Sequence, residues 1–67
     1  MEKIREKVIA EIVRQISYLR TAESQYLGMA QGAAIGKIEM AEMCGVITRN
    51  EAFDFNHQVT DIVCDRR

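Results

Sequence analysis

The segment Cys44-Gly45-Val46-Ile47-Thr48-Arg49-Asn50-Glu51-Ala52 constrains this chain more than any other stretch. Gly45 supplies the left-handed conformation that ends a helix without a Cβ penalty. Just beyond it, Thr48-Arg49-Asn50-Glu51 matches a capping box, in which each end's side chain satisfies the other end's orphan backbone N–H. Ile47 and Ala52 stand at the staple positions on either side. A stop and a start this close together fold two helices back against each other, and the later helix is expected to begin at Arg49. It carries Ala52, Phe55, Val59 and Ile62 at helical steps, with Phe53 and Val63 nearby.

Upstream, Ile4, Val8, Ile12, Ile16 and Leu19 recur at helical period, and Ile9 and Val13 widen the stripe. Arg20-Thr21-Ala22-Glu23-Ser24 is the most polar interruption that follows. A single helix running on to Cys44 would be about 63 Å long, so a break or kink is expected between Thr21 and Ser24, with Thr21 a candidate cap. The fold expected is all-α: one domain over residues 1–67, built from a long first helix, a glycine-rich middle helix and a capped third helix. A chain of 67 residues buries only about 60% of its unfolded surface. At that size a partner chain is a common source of stability.

Gly28, Gly32 and Gly36 lie four apart, beside Ala33. Three helical glycines cost about 0.8–1 kcal/mol each against alanine, which suggests a smooth stripe for close helix contact, within the chain or between chains. The expected assembly is a homodimer, the commonest closed oligomer. Its seam would use Ile9, Ile12, Ile16 and Leu19 with the face of Gly28, Gly32 and Gly36, so Gly32→Leu should abolish self-association or folding. Met29, Met40 and Met43 read as core filling, and Tyr18 and Tyr26 suit the rim of a small core or an interface.

Charge and chemistry narrow the function. The net charge of −1 favours neither nucleic acid nor an acidic membrane. Between Glu39 and Asp65 there are six acids and one base, Arg49, which suits a basic protein partner. Glu51, Asp54 and Asp61 are the expected partner-facing residues. No membrane span or signal peptide is read, and Cys44 and Cys64 are taken as buried, reduced thiols of a cytoplasmic protein. Asp54, His57, Asp61 and Cys64 share one face of the third helix, but no second cluster stands elsewhere, so they read as a solvated polar face; no metal or cofactor is expected. No catalytic set stands out, and the chain is read as non-enzymatic.

Ala41 and Gly45, four apart and followed by Val46, suggest a helix-turn-helix, which makes a dimeric DNA-binding transcriptional regulator the alternative. Its reading helix would open with Arg49 as sole base among acids, a poor start for phosphate contacts. A purely structural assembly subunit is a third class. The stretch Gly32-Ala33-Ala34-Ile35-Gly36 followed by Cys44 to Ala52 resembles small phage and prophage accessory proteins. That resemblance implies stoichiometric binding in host takeover, in anti-defence such as anti-CRISPR action, or in regulation.

Overall fold

The computed structural model describes residues 2–66. Three helices follow one another: α1 over Glu2–Thr21, α2 over Leu27–Met43 and α3 over Arg49–Arg66, with one 3₁₀ turn over Ser24–Tyr26 between the first two. The all-α, three-helix architecture is therefore as the sequence implies. The helices pack pairwise into a bundle 36 × 19 × 13 Å across its Cα atoms.

The break after α1 falls where the polar segment stands. The Ala22 N–H donates to the Tyr18 carbonyl at 2.8 Å and the Tyr26 N–H to that of Glu23 at 2.8 Å. Thr21 does not cap α2. It closes α1, and its hydroxyl donates back to the Tyr18 carbonyl at 3.5 Å.

The second junction has the chemistry its residues dictate. Gly45 sits at φ 74°. The Val46 N–H reaches the Ala41 carbonyl at 2.9 Å and the Gly45 N–H that of Glu42 at 3.0 Å. This is the nested pair of bonds that satisfies a helix's last carbonyls. A few residues on, the Glu51 N–H donates to the Thr48 hydroxyl at 3.1 Å, and the Glu51 carboxylate accepts the Thr48 N–H at 2.9 Å. Ile47 and Ala52 are both buried beneath this box.

Inside, Ile12, Leu19, Ile38 and Val59 are the largest fully buried side chains. Around them α1 adds Ile16, α2 adds Leu27, Ala30, Ala34 and Ala41, and α3 adds Ile62 and Val63. Two arginines clamp the ends. Arg5 grips Glu51 with both amino groups, at 3.0 and 2.5 Å, and also reaches the Val46 carbonyl at 3.0 Å. Arg66 donates to the Leu19 carbonyl at 2.8 Å, a cation at the C-terminal end of α1.

The helix faces depart from the sequence expectations at several residues. The small residues that let α2 approach its neighbours are alanines, not glycines. A Cβ built on Gly28, Gly32 or Gly36 meets nothing within 4 Å, and all three face solvent. Met29, Met40 and Met43 are not core filling, being 75%, 60% and 81% exposed. Ile4 and Val13 are likewise largely exposed, although they fit the apolar period of α1. Cys44 and Cys64 are exposed free thiols rather than buried ones.

Candidate functional site

Ile12, Ile16 and Leu19 are committed to the chain's own core, and Ile9 packs half-buried against it. A second copy would reach the seam expected on these residues only where the bundle opens. Gly28, Gly32 and Gly36 remain on the surface but lie on the opposite side of α2 from its core residues. The two halves of the expected self-association surface are thus not brought together.

The acidic set on α3 also divides. Glu51 serves the fold itself, since the guanidinium of Arg5 and the Thr48 N–H hold its carboxyl down at about 2, against an ordinary 4.5. Asp54 and Asp61 point outward and are exposed. Between them along the helix stands His57, whose Nε2 lies 3.7 Å from the Asp61 carboxylate. Phe53 is 70% exposed, and its ring stacks on that of His57 with centroids 6.4 Å apart and planes 4° from parallel. The outward face of α3 is therefore an aromatic pair bordered by exposed carboxylates. Asp65 and Cys64 continue the exposed surface one turn further on.

Comparison with protein-family models, curated proteins and solved structures gave no significant match.

Phe53 is the functional candidate that the apolar pattern of α3 hides. It sits among the core residues of that helix in sequence, yet it lies about 120° around the axis from Val59, the centre of the buried face. Counting that angle is the signal that places it outside. Asp54, His57, Asp61 and Cys64 do share the outer side of α3, and among the described residues no three His, Cys, Asp or Glu side chains gather as a metal site would need. Arg49, which opens the candidate DNA-reading helix, is almost wholly exposed, with its guanidinium 3.9 Å from Glu42. No helix among the described residues is long and apolar enough to cross a membrane.

A second surface lies between α1 and α2, on the side away from α3. Val8, Ile12, Met40, Ala41, Cys44 and Val46, with Glu11 and Lys37, line a cavity of about 240 Å³. Towards the other end of the same two helices, Tyr18, Tyr26, Met29 and Ala33 line a shallower one of about 190 Å³. Between these ends Lys37 bridges to Glu11 at 3.3 Å. Arg14 pairs with the same carboxylate, and together the two cations lower its pKa.

Proposed function

We propose that this chain is a small non-enzymatic interaction module that binds a larger protein stoichiometrically through the outward face of α3. Phe53 carries the reading. A phenylalanine left 70% in water on a rigid helix, with Asp54 and Asp61 beside it, has the makeup of an interface anchor inside a polar rim. The carboxylates select a partner with a basic surface and speed the encounter, while the aromatic pair supplies the apolar contact. Occupying a surface is the mode of action implied by the resemblance to small phage accessory proteins, and inhibition of a host or defence protein fits it.

The test is capture from a nuclease-treated lysate of the native cell, with tagged wild-type and Phe53→Ser chains side by side. One protein retained near one-to-one by the wild type and lost by Phe53→Ser supports the reading. Equal retention by both chains overturns it. Retention only when nucleic acid is left intact would favour the DNA-binding alternative.

A further inference from the structure

We infer that the face formed by α1 and α2 is the seat of a second copy of this chain, and that the two copies exchange the Glu11–Lys37 ion pair. Helix α2 carries apolar or small residues on every side, broken by Gln31, Lys37, Glu39 and Glu42, although only one side meets the core. Tyr18, Tyr26, Met29 and Met40 are all exposed, and large apolar side chains gathered on one surface mark an interaction site. The uncovered side of α2 continues onto α1, so that Val8 stands near Met40 and Ile4 near Cys44 and Val46 at one end, and Tyr18 stands near Tyr26 and Met29 at the other.

The charge pattern selects the occupant. At the middle of this face Glu11 of α1 pairs with Lys37 of α2, and also with the exposed Arg14 of its own helix. A two-fold axis parallel to the helices lays α1 of one protomer over α2 of the other. Glu11 then falls opposite the partner's Lys37, and Lys37 opposite the partner's Glu11. The same rotation sets Val8 over the partner's Met40, Ile4 over the partner's Cys44, and Tyr18 over the partner's Tyr26 and Met29. Every helix in the resulting layer of four runs antiparallel to its neighbours, the arrangement of an up-down bundle. The interface is isologous, as a closed dimer requires. The outline of the bundle, 36 × 19 Å across its Cα atoms, sets an upper bound of about 700 Å² on one face, near the 800 Å² per partner of stable complexes.

Phe53 lies on another face, so this dimer and the α3 reading stand or fall separately. Sedimentation velocity on the full-length chain tests the dimer, with circular dichroism confirming that each variant stays helical. The wild type should sediment at twice 7.6 kDa at micromolar concentration. Glu11→Lys alone and Lys37→Glu alone should each sediment as monomers, because each pairing becomes like-charged. An equal mixture of the two variants should regain the dimer, as should the double variant. A monomeric wild type overturns the proposal. So does a wild-type dimer that both single variants leave intact, or a mixture of variants that stays monomeric.

Discussion

At Gly45 the backbone stands at φ 74°, where a Cβ meets no neighbour but is strained by its own chain. Gly45→Ala should therefore cost about 1–2 kcal/mol and lower the melting temperature without changing helix content. Glu51 yields a second residue-scale expectation. Its carboxyl is held at about 2 in the folded chain, against an ordinary 4.5. A depressed acid contributes stability that is fully present above the unfolded value and disappears as pH falls through the folded one. Thermal melts should thus lose stability from about pH 5 down to pH 2, and Glu51→Gln should flatten that decline. Thr48→Ala removes the other half of the box and should cost about 0.5–2 kcal/mol in urea unfolding.

At the scale of elements, α2 is where sequence and structure part company. Its glycines read as a contact stripe because small residues at four-residue spacing suit close packing. Alanines recur on the same helix at similar steps, and it is Ala30, Ala34 and Ala41 that turn inward. Leu27 and Ile38, three turns apart on one side, carry the bulk that decides the rotation. Period alone does not rank them, since α2 has apolar residues on every side. The opposite case is the Gly45–Glu51 junction, which is legible because stop and cap chemistry act over a few neighbouring residues. Outward glycines with free space beyond them have a direct consequence. Gly28→Ala and Gly32→Ala should each stabilise the chain by about 0.8–1 kcal/mol, measured by chemical denaturation. Gly32→Leu should leave the fold intact, contrary to the expectation drawn from spacing.

For the whole molecule, the core that makes a 67-residue chain a three-helix bundle is built in part from Ile12, Ile16 and Leu19, the residues that periodicity suggests for a seam. What is left outside is sorted by helix: an aromatic and acidic face on α3, and an apolar face with one central ion pair across α1 and α2. That sorting is only half visible in the sequence. The acids of α3 declare themselves by charge, whereas Phe53, Met29 and Met40 have the hydrophobicity of core residues and differ only in angle around their helices. Partner binding through the α3 face is best tested by the capture yield of three tagged baits from one nuclease-treated lysate: wild type, Phe53→Ser and Glu11→Lys. One protein should be held near one-to-one by wild type and by Glu11→Lys, and lost with Phe53→Ser. Wild-type yield on the Phe53→Ser bait would contradict it.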